Sequence, residues 1–385
     1  MNITEEISRY ISEHKQEAYE LLTALARIPA PSGREERRAG FIMDWLKEKG
    51  AKGVYLDDAL NVIYPIGCTQ ENPLYVFSAH TDIVFPDETE LPVEEREGKL
   101  CAPGIGDDTA NVAALMIAAE YLAKHTAGND FQNGAGCLIV FNSGEEGLGN
   151  LKGIRAVCRE YGKRIRQHIS FDGTMKGIVN RSVGSKRYRI EVQTEGGHSY
   201  GAFGNRNAIV YLADLIGTLY ELKVPRKGRT TYNVGTISGG TSVNSIAQQA
   251  WMLYEFRSDD REDLEFMERH FDAVINAYRA KGITVQVDLI GERPCMGDVP
   301  PEELEALTKR ANAVIQKYSG AAAGDGSGST DCNIPHSLGI PAVSFGAYRG
   351  GGAHTREEWL EIESLEPGLG IVLETVLTES GWRGK

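Results

Sequence analysis

The sequence lacks an excess of positive charge and a long apolar run. Its 41 Lys and Arg are outnumbered by 54 Asp and Glu, which gives a formal net charge of −13. Nucleic acids and anionic membranes attract proteins with clustered Lys and Arg, so neither is an expected partner. No apolar run approaches the roughly 20 residues that a helix needs to cross a bilayer. A soluble globular protein with neither kind of partner is therefore expected.

The cysteines and the amino terminus also lack the features of an exported protein. The six cysteines contain no Cys-x-x-Cys pair, which favours reduced, mostly buried thiols over a disulfide framework or a thiolate zinc site. Residues 1–10 include Glu5 and Glu6 and lack the basic, then apolar, then small-residue order of a signal peptide. We therefore expect a cytoplasmic protein.

Length and composition indicate a globular protein with at least two domains. The chain has 385 residues, of which 41% are hydrophobic and 25% are charged, and these proportions argue against disorder. The length exceeds that of one ordinary domain, whereas two domains could each bury a core of their own.

Residues 1–181 have the pattern of an α/β layer. Helical spacing of apolar residues predicts two opening helices, over residues 5–26 and 34–49. Short apolar runs then alternate with helical stretches, which predicts strands buried on both faces of a mixed, mostly parallel sheet flanked by helices. The apolar runs are residues 74–80, 137–142 and 168–171, and the helical stretches are residues 108–124 and 149–161.

From about Ser182 the pattern changes to alternating, half-exposed strands. Strands and helices follow the order β-α-β-β-α-β, which predicts an inserted, ferredoxin-like α+β lid domain over residues 182–290. Its strands are residues 186–194, 232–237, 249–256 and 283–290, and its helices are about residues 205–221 and 260–280. Residues 291–385 then complete the first domain. They carry helices at 302–318 and 365–379, a strand at 342–345, and glycine-rich loops at 320–329 and 346–353.

Five patches of acids and histidines lie at predicted strand ends or helix starts. They are His80-Thr81-Asp82, Asp107-Asp108, Glu145-Glu146, Asp172 and His354. Rigid elements whose ends face one cleft are well suited to hold metal ligands. Together the patches supply the parts of a two-metal hydrolytic site.

The first two patches each have a reading that needs no metal. His80 and Asp82 follow a buried strand and point to the same face if the chain stays extended. The imidazole could then bind zinc while the carboxylate orients it, or the aspartate could simply cap a strand-end histidine. Asp107 and Asp108 begin an apolar helix, where one acid suffices to cap the free amides. A second adjacent acid is better explained by a shared cation. The more specific hypothesis is that one aspartate bridges two zinc ions.

The remaining patches differ in how specific they are. Glu145 and Glu146 could divide the work, with one binding metal and the other taking a proton from the metal-bound water. A solvated turn is the alternative, although the flanking glycines favour a close backbone approach to a ligand. Asp172 belongs to an ordinary Asp-Gly turn pair, and a loop histidine such as His354 is usually exposed. Asp172, however, ends a strand at the sheet edge where α/β proteins bind ligands, and the glycines before His354 give its loop room to bring the side chain into a site.

In this order the five patches resemble the zinc-dependent exopeptidase and amidohydrolase family of peptidase T, aminoacylase, carboxypeptidase G, and the acetylornithine and succinyl-diaminopimelate deacylases. The resemblance covers essentially the whole chain. It implies the zinc exopeptidase fold with two zinc ions per subunit, for which cobalt or manganese could substitute. The implied metal ligands are His80, Asp107, Glu146, Asp172 and His354, with Asp107 bridging both ions and Glu146 and Asp172 on opposite ions.

The resemblance also implies roles for neighbouring residues. Asp82 would orient His80, Glu145 would be the general base, and Asp108 would be a neighbour that binds no metal. Many relatives have lysine where this chain has Thr109, so a local charge contact is expected to differ here.

Three residues of the lid resemble family positions that reach the substrate. His198, in Gly196-Gly-His-Ser, resembles a histidine that enters a neighbouring subunit's site and polarises the scissile carbonyl, which implies a homodimer through the lid domain. Asn244 and Arg257 resemble substrate-binding residues, and the planar fork of Arg257 suits a carboxylate. His198 could instead be a polar residue beside a glycine turn, and Arg257 could pair with a surface acid. Residues 326–331 resemble a substrate loop, with a flexible surface loop as the alternative.

These expectations combine into a metal-dependent exopeptidase that hydrolyses the amide bond of small peptides. Water bridged between two zinc ions would be the nucleophile, with Glu145 as general base. The opening segment around Pro29-Ala-Pro-Ser-Gly33 looks closest to peptidase T relatives, which favours an aminopeptidase of the tripeptidase kind. The alternative is a deacylase or carboxypeptidase acting on N-acyl amino acids or related amides. A metal-containing peptide-binding protein without catalysis is a rival from another class.

Overall fold

The computed structural model describes residues 3–126, 131 and 134–382. The chain divides into two compact units, Met1–Arg181 with Gly297–Lys385 and Ser182–Met296. The second unit begins where the sequence pattern changes. It ends later than residue 290 because its last strand continues to Arg293.

Helices and strands alternate along most of the described chain. The helices are α1 Ile3–Arg27, α2 Glu36–Glu48, α3 Asn111–His125, α4 Lys152–Tyr161, α5 Ala208–Tyr220, α6 Arg261–Ala280, α7 Pro301–Ser319, α8 Asn333–Ser337 and α9 Leu365–Glu379. The strands are β1 Tyr55–Leu56, β2 Val62–Ile66, β3 Leu74–His80, β4 Glu94–Arg96, β5 Lys99–Cys101, β6 Gly136–Asn142, β7 Ile165–Phe171, β8 Gly177–Ser182, β9 Gly184–Gln193, β10 Gly197–His198, β11 Thr230–Gly239, β12 Ser245–Ile246, β13 Gln249–Ser258, β14 Thr284–Arg293, β15 Gly324–Gly328, β16 Ala342–Phe345, β17 Gly350–Gly351 and β18 Trp359–Glu361.

The first unit is built on a mixed, mostly parallel sheet flanked by helices, which confirms the predicted fold class. The strand order of this sheet is β1-β2-β6-β3-β7-β16-β8-β15. Its central strands β6, β3, β7 and β16 pair in parallel, whereas β1, β2 and β8 pair antiparallel. The carboxyl ends of the central strands therefore meet at one edge.

The central strands are apolar on both faces because both faces are covered. Neighbouring residues on one strand enter different cores: Phe77 packs with α1, α3 and α9, whereas Val76 packs with α4 on the other side. Ile139 and Leu138 on β6 divide in the same way. Side chains alternate along a strand, so a strand with helices on each side must be apolar at nearly every position.

The second unit is ferredoxin-like, as the element order predicted. Its sheet has the order β11-β13-β9-β14, with antiparallel pairing between neighbours. Along β9, Ile190 and Val192 are buried against α5 and α6, whereas Arg189 lies on the opposite face. This alternation explains the period-two pattern by which the strands were recognised.

The glycine-rich loops differ from the prediction. Residues 320–329 contain β15, and residues 346–353 contain β17. A strand made mostly of glycine forms through backbone pairing and has no alternating side chains, so the hydrophobic pattern could not predict it.

The cysteines and the apolar character of the helices bear on two expectations from the sequence. All six cysteines are free thiols, and four of them are buried: Cys137, Cys158, Cys295 and Cys332. Among the helices of the described residues, none has both the length and the apolar character that crossing a bilayer requires.

His168 is a buried core histidine that should make stability depend on pH. Its Nε2 lies 2.8 Å from the Ser78 hydroxyl, and burial lowers its pKa to about 3. An unfolded histidine has a pKa of about 6.5. Between these values the unfolded chain binds a proton that the folded chain does not, so the free energy of unfolding falls as the pH drops.

We expect His168→Gln to reduce this loss of stability in acid. The wild-type protein should lose roughly 2 kcal/mol through this group between about pH 7 and pH 5, and the variant should not. Urea unfolding at the two pH values measures the difference. His198→Gln, at an exposed histidine, is the control. Equal losses in wild type and His168→Gln would contradict the prediction.

Candidate metal centre

The carboxyl edge of the central sheet collects the predicted patches. His80 is the last residue of β3, and Asp172 directly follows β7. Glu145 and Glu146 follow β6. His354 instead lies in the loop after β17, which belongs to a separate small sheet of the order β17-β18-β5-β4. Parallel strands bring their carboxyl ends to the same edge, which is where open α/β sheets bind ligands. Residues far apart in sequence are thereby brought to one place.

Asp107 lies between the two histidines. Its Oδ1 is 3.1 Å from His80 Nε2, and its Oδ2 is 3.2 Å from His354 Nε2. His354 Nε2 is also 3.1 Å from Glu146 Oε1. Although burial alone would raise the pKa of Asp107, hydrogen bonds from His354 and His80 hold it below its usual value. One carboxylate thus faces a different imidazole with each oxygen.

Two groups of donor atoms share this carboxylate. In each group the donor atoms lie within 4.8 Å of one another. The first group contains His80, Asp107, Asp108 and Asp172, and the second contains Asp107, Glu146 and His354. Imidazole nitrogen and carboxylate oxygen are the ligands that zinc takes besides thiolate. The arrangement fits two neighbouring cations bridged by Asp107.

The electrostatics of the site also fit a cation. Burial, and then repulsion from Asp107, raises the pKa of Asp172 to about 7. Hydrogen bonds with Asp107 and Glu146 raise the pKa of His354 to about 10. Neighbouring carboxylates with little access to solvent need a compensating positive charge, and here protonated imidazoles provide it. A metal ion would supply the same charge and leave the histidines neutral.

Asp82 contacts three residues of the candidate site. Its Oδ1 lies 3.5 Å from His80 Nδ1 and accepts the Glu145 backbone N–H at 2.9 Å. Its Oδ2 accepts the Glu146 N–H at 2.9 Å and the Ser32 hydroxyl at 2.6 Å. Burial alone would raise the pKa of Asp82, but hydrogen bonds from His80 and Ser32 outweigh it and lower the pKa. This single carboxylate orients one candidate ligand and fixes the backbone of two more acids.

Asp108 is held by hydrogen-bond donors of the protein. Its Oδ2 accepts the His80 backbone N–H at 2.9 Å, and its Oδ1 accepts the Asn111 side-chain amide at 2.6 Å. The carboxylate is fully buried, and burial raises its pKa. Both oxygens are therefore engaged in joining the end of β3 to the start of α3.

Sequence reasoning did not identify three residues that the site uses. Ser32 lies in the segment that separates the first two helices, and its hydroxyl donates to Asp82. Arg38 is fully buried in α2 and donates to the Thr81 carbonyl at 2.9 Å and to the Thr109 hydroxyl at 3.3 Å. Thr109, where the family resemblance implied a different local charge contact, therefore contacts a buried arginine. The third residue is Glu358, whose carboxylate lies under the Asp107 turn.

The predicted lid residues lie in the second unit, where two of them are close together. β10 pairs with β12, and the Ser199 N–H donates to the Asn244 carbonyl at 3.0 Å. His198 is exposed, and its Nδ1 accepts the backbone N–H groups of Tyr200 and Gly201 at 3.2 Å each. The Asn244 side chain is also exposed and accepts the Ser242 hydroxyl.

Arg257 lies apart from these two residues, on β13. Its Nε and one Nη each donate to Glu255 at 2.9 Å. The pairing with an acid that the sequence left open is therefore present. In the first unit, Asp331 of the predicted substrate loop is buried and accepts the Asn142 amide at 2.7 Å, so this end of the loop belongs to the interior.

The sheet, the inserted ferredoxin-like unit and the cluster of His, Asp and Glu side chains at the sheet edge define a hydrolase of the metallopeptidase class. The match to a family model over residues 76–378 specifies it further: the chain belongs to peptidase family M20/M25/M40.

Proteins that resemble this chain in sequence or in fold are described as having different activities. A succinyl-diaminopimelate desuccinylase of Bordetella petrii is 26% identical over 326 residues, which cover 79% of this chain and 82% of the relative. The aminopeptidase PepT of Bacillus cereus has the same fold, with a TM-score of 0.72, 19% identity, and coverage of 95% and 98% of the two chains. Bacillus subtilis YXEP, described as a dinuclear metal-binding peptidase of the M20 family, matches with a TM-score of 0.63, 16% identity and coverage of 96% and 99%.

Proposed function

We propose that this protein is a metal-dependent exopeptidase that hydrolyses the amide bond of small peptides with two zinc ions per subunit. The observation that carries the proposal is Asp107, whose two oxygens face His80 and His354 at 3.1 Å and 3.2 Å. A carboxylate that belongs to two groups of donor atoms has the position expected of a bridging ligand in a two-metal site. The description of YXEP as a dinuclear metal-binding peptidase supports the same count of ions.

The candidate ligands divide between the two ions around this bridge. His80 and Asp172 would hold one ion, and Glu146 and His354 would hold the other. When bound, zinc supplies a Lewis acid that activates water and polarises the amide carbonyl. Three protein ligands on each ion leave room for water or substrate, as in catalytic zinc sites. Cobalt and manganese accept similar ligands and could replace zinc.

Glu145 is the proposed general base. It is buried, and one of its donor atoms lies within 4.8 Å of those of His80 and Glu146. Its backbone N–H is fixed by Asp82 at 2.9 Å, which limits the positions that its side chain can take. In this role its carboxylate takes the proton of the attacking water and passes it to the nitrogen of the leaving amine.

Replacing Glu145 and Glu146 separately tests this division of roles. We expect Glu145→Gln to keep both metal ions while turnover falls by about 10²–10⁴, the range for loss of an acid/base group. Glu146→Gln should instead lose affinity for one ion, since its oxygen is a proposed ligand. Metal content by atomic emission and kcat on a peptide substrate are the measurements. Wild-type turnover in Glu145→Gln would rule out the general base.

The substrate is proposed to be a short peptide with a free amino terminus. The opening segment resembles peptidase T, and the chain shares its fold with PepT. The alternative, a deacylase or carboxypeptidase, has its own support, because the desuccinylase of Bordetella petrii is 26% identical. Arg257 is suited to bind a substrate carboxylate in either case, and at present it is paired with Glu255.

A panel of matched substrates separates these activities. We expect the zinc-loaded enzyme to cleave free tripeptides and to act on their N-acetylated forms at least about tenfold more slowly, which is the effect of about 1.4 kcal/mol in the transition state. The metal-chelated enzyme is the control and should be inactive on both. Cleavage of N-acyl or N-succinyl amino acids alone would favour the deacylase, and binding of peptides without turnover would favour the rival binding protein.

We also propose that the protein forms a homodimer through its lid domain, with His198 reaching the partner's site. β11 lies at one edge of the lid sheet, and its residue Ile237 is 53% exposed. Nearby apolar side chains on the same unit, Ile209 and Val210 on α5, are also exposed. An exposed edge strand beside apolar side chains is a surface that another chain can extend.

The cytoplasm is the proposed location of the protein. The free thiols support this proposal, because thiols stay reduced in that compartment.

The dimer can be tested with one charge on each edge of this sheet. Ile237→Glu should give a monomer because it places a charge in the proposed interface. Leu289→Glu is the matched control, since Leu289 is 51% exposed on β14 at the opposite edge. Light scattering after size exclusion measures both. A monomeric wild type, or dimers in both variants, would contradict the proposal.

A further inference from the structure

Glu358 makes a set of buried contacts with the turn that carries Asp107. Its side chain is buried, with 1% of the residue exposed. Oε1 accepts the backbone N–H groups of Gly106 at 2.9 Å and Asp107 at 2.7 Å. Oε2 accepts the N–H of Gly104 at 3.0 Å. One carboxylate therefore accepts three backbone N–H groups from the turn that carries Asp107.

The backbone of the same turn leaves little room for another arrangement. Gly104 has φ +69°, and a Cβ built on Gly106 would lie 2.5 Å from the Tyr348 ring. The turn is thus pressed against Tyr348 and has its amides pointing towards Glu358. Ordered N–H groups in a turn form a concave site for an anion, and here the anion is a side chain of the same protein.

Glu358 is also close in the chain to the other end of the candidate site. Its N–H donates to the Thr355 carbonyl at 3.3 Å, and the Thr355 N–H donates to the Gly352 carbonyl at 3.0 Å. His354 lies inside these turns with φ +64°. The loop that carries His354 is therefore short and hydrogen-bonded up to Glu358.

A small sheet brings the two loops together. β18 begins directly after Glu358 and pairs antiparallel with β5, so that Trp359 lies opposite Cys101. β5 leads directly into the Asp107 turn, and the Ala102 N–H donates to the Glu358 carbonyl at 3.1 Å. The backbone pairing sets the approach of the two loops, and the Glu358 carboxylate joins them at the end nearest the site.

We propose that Glu358 is a positioning residue that fixes Asp107 relative to His354 and thereby sets the affinity of the site for both metal ions. The inference rests on the proposed function, because it assumes that Asp107 and His354 bind metal. Glu358 itself belongs to none of the groups of candidate metal ligands among the described residues. It acts on the backbone of one ligand and, through the three residues of the turn between His354 and Glu358, on the other.

The contacts predict how each substitution would act. Glu358→Gln keeps the size of the side chain but replaces one acceptor oxygen with an amide that can only donate. One N–H of the turn then faces another donor, and the remaining contacts lose the strength that a charged acceptor gives. Substitutions of residues that orient metal ligands typically reduce affinity by 10–100-fold, and this is the expected loss. Glu357→Gln is the matched control, because Glu357 is the adjacent, exposed glutamate.

The experiment titrates the metal-free full-length protein with zinc against a chromophoric chelator and records the visible spectrum of the cobalt form. Wild type and Glu357→Gln should bind two ions with equal affinities. Glu358→Gln should bind both ions about 10–100-fold more weakly, and its cobalt spectrum should change because the bridging carboxylate has moved. Thermal unfolding of the metal-free proteins separates this effect from a general loss of stability.

The outcomes distinguish this inference from the proposed function. If the wild type binds no zinc, the proposed function fails and the inference fails with it. If the wild type binds two ions and Glu358→Gln binds them within about twofold of it with the same cobalt spectrum, only the inference is wrong. If Glu358→Gln does not fold, Glu358→Asp replaces it under the same criteria, since it keeps the charge but is too short to reach all three N–H groups.

Discussion

The repulsion among buried and half-buried acids at one edge of the sheet is the constraint on which the rest of the site depends. The acids concerned are Asp82, Asp107, Asp108, Asp172, Glu145 and Glu146. Several kcal/mol is the typical cost of burying one uncompensated charge, so each carboxylate must be matched by hydrogen-bond donors or by positive charge. The site uses both solutions. Asp82 and Asp108 are matched by N–H and hydroxyl donors of the protein, whereas Asp107 and Glu146 are matched by imidazoles.

This division separates the supporting acids from those that can bind metal. An acid whose oxygens are both occupied by N–H donors of the protein, such as Asp108, holds the fold together around the site. An acid whose oxygens face histidines, such as Asp107, can exchange those contacts for a cation. Burial, and then repulsion from Asp107, raises the pKa of Asp172 to about 7, so a cation would stabilise the ionised form of this carboxylate as well. Arg38 lies fully buried behind the site, with its guanidinium bound to the Thr81 carbonyl.

Much of the fold could be predicted from the sequence because the elements that matter have clear periods. The apolar run of β3 and the alternation of β9 were recognised from their residues alone, since burial on both faces and burial on one face leave different patterns. Ser32, Arg38 and Glu358 could not be found in this way. Each reaches the site with one side chain from a segment that has no unusual local pattern. Arg38 stands among charged residues of a surface-like helix, and only the tertiary structure shows that it is buried.

The sequence alone does not indicate which acid of each adjacent acidic pair supports the fold and which one faces the site. In Asp107-Asp108 and Glu357-Glu358, one acid of each pair accepts N–H groups of the protein, while the other faces the histidines or the solvent. Glu145-Glu146 differs, because both residues are buried and both contribute donor atoms near His80. The reason lies in Asp82, whose two oxygens accept the successive N–H groups of Glu145 and Glu146. Successive amides of an extended chain point in opposite directions, so binding both to one carboxylate requires the backbone to bend, and Glu146 lies at a bend. The carboxylate that both N–H groups contact belongs to a residue more than sixty positions earlier in the chain.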